Sequence, residues 1–266
     1  MNRIEKRFAE YKKNGRKALV GFISAGDPSV EMSKKLIREM IAGGLDVLEL
    51  GVPFSDPTAD GPVIQRSSSR ALAAGVNMGV CFDIVRDIRS YDADVPVVLF
   101  SYYNPIIAYG ERFYEDATAA GADGVLIVDL PPEEAGELTD KWPGNELVVI
   151  HLIAPTTYDE RVKLISTASR GFLYLISRTG VTGTGGIDID GVGRYVDRIR
   201  RQTDLPLCVG FGISTPEDAF AMAGHADGIV IGSAFEKVIE KNPDNPDLPK
   251  IMGDFVRGFR GALDRY

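Results

Sequence analysis

Eight short apolar segments recur along the 266-residue chain and constrain its fold more than any other feature. Several are almost wholly hydrophobic, which is typical of strands covered on both faces in a parallel sheet. Amphipathic helical stretches lie between them, as in Met32 to Ile41, where apolar residues share one helix face. The segments are Ala18 to Ser24, Val47 to Val52, Val95 to Tyr102, Gly124 to Leu130, Leu147 to Ala154, Phe172 to Ser177, Leu205 to Gly212 and Gly228 to Ala234.

One phrase occurs three times where a segment begins. In Gly43 to Leu48, Ala120 to Val125 and Gly224 to Ile229, a helix ends near glycine, an aspartate follows and a strand starts. Repeated units of strand, helix and parallel strand predict a (β/α)8 TIM barrel, with residues 1–266 as a single domain. A doubly wound open sheet is the alternative, but no Gly-x-Gly-x-x-Gly motif follows the first segment.

Composition argues against several classes of protein. The net charge is -8 and no Lys/Arg block is interleaved with aromatic residues, which argues against nucleic-acid binding. The longest apolar runs are far shorter than the ~20 residues that cross a bilayer.

The charged start lacks the apolar region of a secretory signal, and Ile4 and Phe8 predict an extra N-terminal helix beneath the barrel. Cys81 and Cys208 fit a reducing cytosol and indicate neither a disulfide nor a zinc site, so we expect a cytoplasmic protein.

Two carboxylates near the second segment are candidate catalytic groups. Glu49 lies inside the apolar run Val47 to Val52, and Asp60 follows a turn that contains Pro53 and Pro57. A carboxylate is costly to keep charged in a buried strand, and proteins usually tolerate one where the acid does chemistry. The alternative is a glutamate that forms a salt bridge in the core.

The chemistry of a TIM barrel lies at the C-terminal ends of its strands. Tyr102 ends the third segment, Asp129 lies near the end of the fourth, and Tyr174 lies within the sixth. We therefore expect these side chains near Glu49 and Asp60, around one mouth of the barrel.

Two turns late in the chain predict a phosphate site. One turn, Gly210 to Asp218, lies at the end of the seventh segment. The other, Gly232-Ser233-Ala234, lies at the end of the eighth segment. A helix is predicted to begin at each turn. Backbone N–H groups at helix N-termini bind anions, and these two loops are the usual phosphate site of TIM barrels. The alternative is ordinary turn glycines and helix caps.

The polar loop Arg178 to Gly186 contains four glycines. We interpret it as a lid, including Arg178, Thr179 and Gly180, that closes over a ligand and excludes water. Gly183 would add a backbone donor to the phosphate. A disordered connection is the alternative.

The absence of several catalytic groups limits the reactions that the chain can catalyse. The apolar segments contain no lysine, which argues against a Schiff-base aldolase. His151 and His225 are far apart in sequence and fit structural roles, and neither a metal cluster nor a Ser-His-Asp arrangement is visible. The remaining groups suit proton transfer on a phosphorylated metabolite. Carbon–carbon cleavage then requires a substrate with its own electron sink, such as an aromatic heterocycle that can be protonated.

Sequence phrases spread over nearly the whole chain resemble one enzyme family, the alpha subunit of tryptophan synthase. The phrase Glu49 to Gln65 is highly specific, whereas the phosphate motifs are shared with many related barrels. Thr184-Gly185-Gly186 is more glycine-rich than the family pattern. The other matching phrases are Ala25 to Pro28, Tyr102 to Pro105, Asp129 to Pro131, Ala154 to Thr156, Tyr174 to Gly183, Gly210 to Ser214 and Asp227 to Ala234.

The resemblance implies retro-aldol cleavage of indole-3-glycerol phosphate to indole and glyceraldehyde 3-phosphate. By family analogy, Glu49 protonates indole C3 and assists at the side-chain hydroxyl, Asp60 holds the indole N–H, and Tyr174 helps to orient the substrate. Thr182 reaches Asp60 when the lid closes. The implied substrate-binding residues are Phe22, Tyr102, Ile153 and Thr182, with Phe100 and Val128 as further pocket walls. The implied phosphate-binding residues are Gly183, Phe211, Gly212, Ile213, Gly232 and Ser233.

The resemblance also implies a partner, the beta subunit, in an alpha-beta-beta-alpha tetramer that passes indole internally. Pyridoxal phosphate belongs to that partner, and this chain carries no cofactor. The loop Pro53 to Asp60, Asn104 to Ile107 and Pro131-Pro132 would face the partner. Ile106 and Ile107 fit a contact surface, although a locally buried loop is the alternative.

Three other functions remain open from the sequence. The first is a stand-alone lyase that releases free indole, and the second is a phosphate-binding isomerase or synthase of the same pathway. The third is a non-catalytic scaffold for a beta subunit.

Overall fold

Parallel pairing joins the strands of the computed structural model, which describes residues 1–144, 146–176, 188–210 and 212–266. The strands are β1 (Ala18–Ser24), β2 (Val47–Gly51), β3 (Val97–Ser101), β4 (Gly124–Ile127), β5 (Val148–Ile150), β6 (Leu152–Ile153), β7 (Leu173–Ile176), β8 (Leu207–Gly210) and β9 (Gly228–Ile231). They are ordered β5-β4-β3-β2-β1-β9-β8-β7-β6 across one sheet. Only His151 separates β5 from β6, so the two ends of the sheet meet and form a nearly closed barrel with its fifth strand split. The predicted (β/α)8 barrel is confirmed, and the alternative of a doubly wound open sheet is wrong. The assignment of residues 1–266 to a single domain stays a prediction.

Each predicted segment contains an observed strand, and the fifth segment contains two. The strands start at or shortly after the predicted starts, and all except β1, which matches its prediction, end earlier than predicted. The fourth segment, for example, was expected to reach Leu130, but the ladder of β4 ends at Ile127. Apolar residues continue beyond the ladder because some of them, such as Val128, line a cavity at the barrel mouth.

Helices surround the barrel in the described part of the chain. They are α1 (Arg3–Asn14), α2 (Val30–Ala42), α3 (Pro62–Ala73), α4 (Met78–Tyr91), α5 (Tyr103–Tyr109), α6 (Phe113–Ala120), α7 (Pro132–Thr139), α8 (Asp159–Ala168), α9 (Ile189–Arg200), α10 (Pro216–Ala223), α11 (Ser233–Lys241) and α12 (Leu248–Leu263). Among the described residues, none of these helices is both long and apolar enough to pass through a lipid bilayer.

The N-terminal helix α1 closes the lower end of the barrel. Asn2 caps it by accepting a hydrogen bond from the Glu5 N–H at 3.1 Å, and the Glu5 carboxylate accepts one from the Asn2 N–H at 3.0 Å. Ile4, Phe8 and Tyr11 are buried on its inner face and pack with residues from the barrel interior. The predicted extra helix is therefore confirmed, and the apolar face at helical spacing explains its position.

Alternate residues of the strands face two different apolar layers. Val20, Val98 and Leu126 belong to the layer inside the barrel, whereas Leu19 and Val125 belong to the layer between the barrel and its helices. This alternation follows from the period of two in a strand. It also decides which side chains near the strand ends point towards the barrel mouth.

The aspartate of the repeated phrase joins neighbouring strands at the bottom of the barrel. Asp46, Asp123 and Asp227 each accept a hydrogen bond, at 2.8 to 2.9 Å, from a backbone N–H at the start of an adjacent strand region. Each also binds an arginine: Arg260 at 2.7 Å, Arg89 at 2.8 Å and Arg200 at 2.6 Å, respectively. The repeat therefore encodes one structural contact used at three places around the barrel.

Asp123→Asn should lower the free energy of unfolding by about 2 kcal/mol, because hydrogen bonds to charged groups contribute about 1.5–3 kcal/mol. Asp123 is 2% exposed and binds both Arg3 and Arg89. Urea denaturation measures the change. Asp83→Asn is the matched control, because Asp83 pairs with Arg86 on an exposed helix surface and should contribute less than about 1 kcal/mol. Equal effects of the two substitutions would contradict the proposed contribution of the buried contact.

Candidate active site

A cavity of about 320 Å³ opens at the C-terminal ends of the strands. It brings together most of the predicted site residues that the structure describes: Phe22, Glu49, Asp60, Tyr174, Gly212, Ile213, Gly232 and Ser233. Phe100 and Val128, the further walls expected from the sequence, also line it. The volume lies in the range of small-molecule sites.

Glu49 is a buried acid without a partner in the described part of the chain. It projects from β2 into the cavity, is 1% exposed, and neither of its carboxyl oxygens has a hydrogen bond. Burial raises the pKa of Glu49 to about 8, because the apolar surroundings disfavour the charged form. The alternative of a salt-bridged core glutamate therefore does not fit, and the Glu49 carboxyl is mostly neutral at pH 7.

Asp60 is held towards the cavity by its surroundings. The Tyr102 hydroxyl donates a hydrogen bond to Asp60 Oδ2 at 3.1 Å and accepts one from the Ala59 N–H at 2.9 Å. The Gln65 side-chain amide donates to the Asp60 carbonyl oxygen at 2.8 Å. Burial raises the pKa of Asp60 to about 6, and the Tyr102 hydrogen bond opposes that rise. Asp60 is thus mostly ionised at neutral pH, unlike Glu49.

Tyr102 lies beside the main cavity. It lines a small neighbouring recess that shares Phe22, Asp60 and Phe100 with the cavity. The sequence predicts that Tyr102 binds substrate, and that contact stays a prediction; the structure shows the Tyr102 hydroxyl hydrogen-bonded to Asp60. This hydrogen bond links the Asp60 carboxylate to the residue that follows β3.

Two glycines make room for the aromatic side chains of the site. The Phe22 ring packs edge-on against Phe100, with 5.2 Å between ring centroids, and a Cβ at Gly51 would clash with it. A Cβ at Gly210 would likewise clash with the Tyr174 hydroxyl. Burial, together with the nearby Glu49 carboxyl, raises the pKa of Tyr174 well above its ordinary value, so its hydroxyl stays protonated.

The part of the cavity formed by the loops after β8 and β9 has the features of an anion site. Gly232 precedes α11 and no side chain caps that helix, so its first N–H groups lack a side-chain acceptor. Gly212 and Ile213 line the same part, and Gly212 has a positive φ of 84°. The first N–H groups of a helix attract phosphate.

The helix after β8 differs from α11. At α10, the Thr215 side chain accepts a hydrogen bond from the Asp218 N–H, and the Asp218 carboxylate accepts from the Thr215 N–H. The predicted helix start is confirmed, but its own side chains already cap it. Of the two helix ends that the sequence suggested for phosphate, α11 is the available one.

Comparison with known proteins agrees with this geometry. The family model described as tryptophan synthase alpha chain matches residues 8–251. The chain belongs to the tryptophan synthase alpha chain family. It is 53% identical over 263 residues to the tryptophan synthase alpha chain of Desulfosudis oleivorans, covering 98% of this chain and 99% of the relative. Its structure is similar to that of tryptophan synthase subunit alpha from Legionella pneumophila, with a TM-score of 0.92, 40% identity and full coverage of both chains. It also resembles a chain of tryptophan synthase from M. tuberculosis, with a TM-score of 0.87, 30% identity and 99% coverage of each chain.

Ile153 does not lie where the sequence analysis placed it. It is fully buried in the layer between barrel and helices, and its carbonyl oxygen accepts a hydrogen bond from the Tyr195 hydroxyl at 2.7 Å. Leu152 lines the cavity instead, beside Tyr174 in the adjacent strand. Because side chains alternate along a strand, an error of one residue moves a side chain to the opposite face.

Several predicted residues lie outside the described part of the structure. They are the lid residues Arg178, Thr179 and Gly180, the substrate-binding Thr182, and the phosphate-binding Gly183 and Phe211. Their roles in this member of the tryptophan synthase alpha chain family stay predictions.

The structure adds lining residues that the sequence analysis missed. Leu152, Ile176 and Val230 add apolar surface, and Lys237 adds a positive charge to the lining. Lys237 follows Ser233 by four residues on one helix, and that spacing was visible in the sequence. Among the described residues, no group of three or more His, Cys, Asp or Glu side chains is placed to bind a metal ion.

Proposed function

We propose that this chain cleaves indole-3-glycerol phosphate to indole and glyceraldehyde 3-phosphate, the lyase reaction of its family. One observation carries the proposal: the neutral Glu49 carboxyl lines the same cavity as Asp60 and the first residues of α11. A bicyclic aromatic ring with a phosphorylated tail needs apolar walls, a proton donor and an anion site. The cavity supports all three.

Glu49 begins the reaction by giving its proton to C3 of the indole ring. Its raised pKa keeps the carboxyl protonated at neutral pH, which suits a general acid. Protonation at C3 turns the ring into a cation whose positive charge lies on the ring nitrogen. The substrate thereby becomes its own electron sink.

Glu49 then takes a proton from the hydroxyl on the carbon attached to C3. The O–H electron pair forms the aldehyde C=O bond, and the bond between that carbon and C3 breaks. Its electron pair restores the neutral aromatic ring. The proton that Glu49 receives replaces the one it gave, so the acid is regenerated and the atoms balance.

Asp60 acts on the charge that develops between these two steps. Its carboxylate accepts a hydrogen bond from the ring N–H and stabilises the protonated ring more than the neutral one. An interaction that strengthens in the transition state lowers the barrier. Tyr102 keeps the carboxylate oriented for this role.

The remaining residues bind and position the substrate. Phe22, Phe100 and Leu152 form apolar walls for the indole ring, and Tyr174 helps to orient it beside Glu49. Gly212, Ile213, Gly232 and Ser233 bind the phosphate, largely through backbone N–H groups. Gly183 and Phe211, which lie outside the described residues, are proposed to add to this site, and Arg178, Thr179, Gly180 and Thr182 are proposed as its lid.

A beta subunit is the proposed partner, in a cytoplasmic alpha-beta-beta-alpha tetramer. The partner holds pyridoxal phosphate and consumes the indole, and this chain needs no cofactor for its own step. Ile107 on α5 is 54% exposed and supports a contact surface at the barrel mouth, whereas Ile106 is buried. A stand-alone lyase that releases free indole has the same cavity and is the alternative that the experiment must address.

Steady-state indole formation tests the function. The purified chain is incubated with indole-3-glycerol phosphate, alone and with a candidate beta subunit. Cleavage stimulated by the beta subunit supports the tetramer, and full activity without stimulation supports the stand-alone lyase. No indole under either condition would overturn the proposed reaction.

The pH profile of kcat/KM should be bell-shaped. It rises as Asp60 loses its proton near pH 6 and falls as Glu49 loses its proton near pH 8. Tyr102→Phe should move the acidic limb to higher pH, because the lost hydrogen bond no longer lowers the pKa of Asp60.

A matched variant and the substrate itself provide controls for this profile. Tyr109→Phe removes a hydroxyl that donates to Asp116, away from the cavity, and should leave both limbs in place. Ionisation of the substrate phosphate near pH ~6 affects every variant alike. An acidic limb that does not move in Tyr102→Phe would contradict the assignment to Asp60.

A further inference from the structure

Lys237 is the one positively charged side chain among the described residues that line the cavity. It belongs to α11, the helix that begins at Ser233, and it lines the same cavity as Gly212, Ile213, Gly232 and Ser233. The described acidic side chains of the lining are Glu49 and Asp60. A substrate phosphate placed in this cavity therefore meets negative charge from Asp60 and has one described cationic side chain nearby.

The position of Lys237 on α11 brings its side chain towards the start of that helix. It follows Ser233 by four residues, so the two side chains share one face of the helix. Side chains of a helix lean towards its N-terminus. The Lys237 ammonium group can therefore approach a phosphate at the start of α11 while its own backbone lies one turn away.

Glu240 is the described acid on which Lys237 acts, and Lys237 follows Arg66 and Arg70 as the last of the cations that lower its pKa. The Lys237 side chain is exposed and forms neither a hydrogen bond nor an ion pair within the described part of the chain. Glu240, the acidic residue three positions later, is instead bound by Arg66 at 3.0 Å and lies 3.6 Å from Arg70. The two arginines therefore hold Glu240 more closely than Lys237 does, and Lys237 forms no direct contact with it that a ligand would have to break.

We propose that Lys237 binds the phosphate group of the substrate and supplies the charge that the backbone N–H groups lack. The inference rests on the proposed function, and it adds a side-chain cation to a site otherwise built from main-chain donors. Lysine is suited to this task because its ammonium is a compact charge with three donors on a flexible stem. A phosphate is bound equally in the ground state and the transition state, so Lys237 should affect KM more than kcat.

The test compares Lys237→Met with two control variants. Lys237→Met should raise KM for indole-3-glycerol phosphate about tenfold, as expected for the loss of one charge-assisted hydrogen bond, with kcat changed less than about twofold. Lys237→Arg keeps the charge and should restore most of the affinity. Lys241→Met removes the same charge from the same helix, outside the cavity lining, and should leave KM unchanged.

Binding of inorganic phosphate, measured by calorimetry, separates this inference from the proposed function. Phosphate affinity should fall in Lys237→Met and not in Lys241→Met, whether or not the parent chain produces indole. If the parent does not cleave the substrate but phosphate affinity still falls in Lys237→Met alone, the proposed reaction is overturned. The role of Lys237 in phosphate binding is then kept. Equal phosphate affinity and equal KM in the parent and Lys237→Met would overturn the role of Lys237, as would equal losses in both methionine variants. A thermal melt of each variant excludes unfolding, which an exposed lysine substitution should not cause.

Discussion

Glu49→Gln should lower kcat for indole formation by about 10²–10⁴-fold, the contribution of a positioned general acid. Glutamine keeps the shape of the side chain in its buried place, but it can neither give a proton to indole C3 nor take one from the hydroxyl. KM should change little, because the apolar walls and the phosphate site remain. Steady-state kinetics with indole-3-glycerol phosphate, scored by indole release, measures both constants. Cleavage by Glu49→Gln at the parental rate would remove Glu49 from the mechanism.

Glu236→Gln is the matched control for this prediction. Glu236 is also a fully buried acid, and burial raises its pKa well above the ordinary value, with Asp27 as a further cause. It lies outside the cavity lining, and one of its oxygens accepts a hydrogen bond from the Ser24 N–H at 2.6 Å, which glutamine can also accept. Glu236→Gln should therefore keep kcat within about threefold of the parent, since conservative changes away from the reacting atoms have small effects. A large loss in both variants would indicate damage to the barrel and not loss of an acid.

The barrel was predictable because its strands and helices carry independent signals. Continuous apolar segments marked the strands, and glycine followed by aspartate marked where strands begin. The structure explains that repeat through the contacts of Asp46, Asp123 and Asp227 with neighbouring backbone N–H groups. The sequence showed the pattern, but it did not show which arginine each aspartate binds, because those partners are up to 214 residues away.

The orientation of individual side chains was less predictable. Every residue from Leu147 to Ile150 is apolar, as are Leu152 and Ile153, so hydrophobicity did not reveal which positions face the barrel interior. The structure places Val148, Ile150 and Leu152 on the inner side and Ile153 on the outer side. Glu49 was easier to place, because a lone carboxyl in an apolar strand is costly in either layer unless it faces a functional cavity.

Two features of the site depend on contacts that a single sequence does not display. The sequence predicts Tyr102 as a pocket wall, but it does not show that the Tyr102 hydroxyl also binds Asp60 from the loop after the neighbouring strand. Lys237 was not predicted from the sequence, because it does not lie at a strand end and enters the cavity from the first turns of a helix.

Asp60→Asn should lower kcat by about 10²-fold at pH 7.5, the loss typical of removing one preorganised electrostatic group. Asparagine can still accept hydrogen bonds from the Tyr102 hydroxyl and from the ring N–H, so the geometry and KM should be largely retained. What is lost is the negative charge that stabilises the protonated ring. Because that charge is absent from the neutral substrate, the effect belongs to the transition state and appears in kcat.

The pH dependence provides the control for Asp60→Asn within the parent protein. Burial raises the pKa of Asp60 to about 6, so the parent carboxylate is itself neutralised as the pH falls below that value. The ratio of parental to variant activity should therefore be largest above pH 7 and shrink towards pH 5. A ratio that stays constant across this range would mean that Asp60 acts through its shape and hydrogen bonds, because a role through charge must disappear when the carboxylate is protonated.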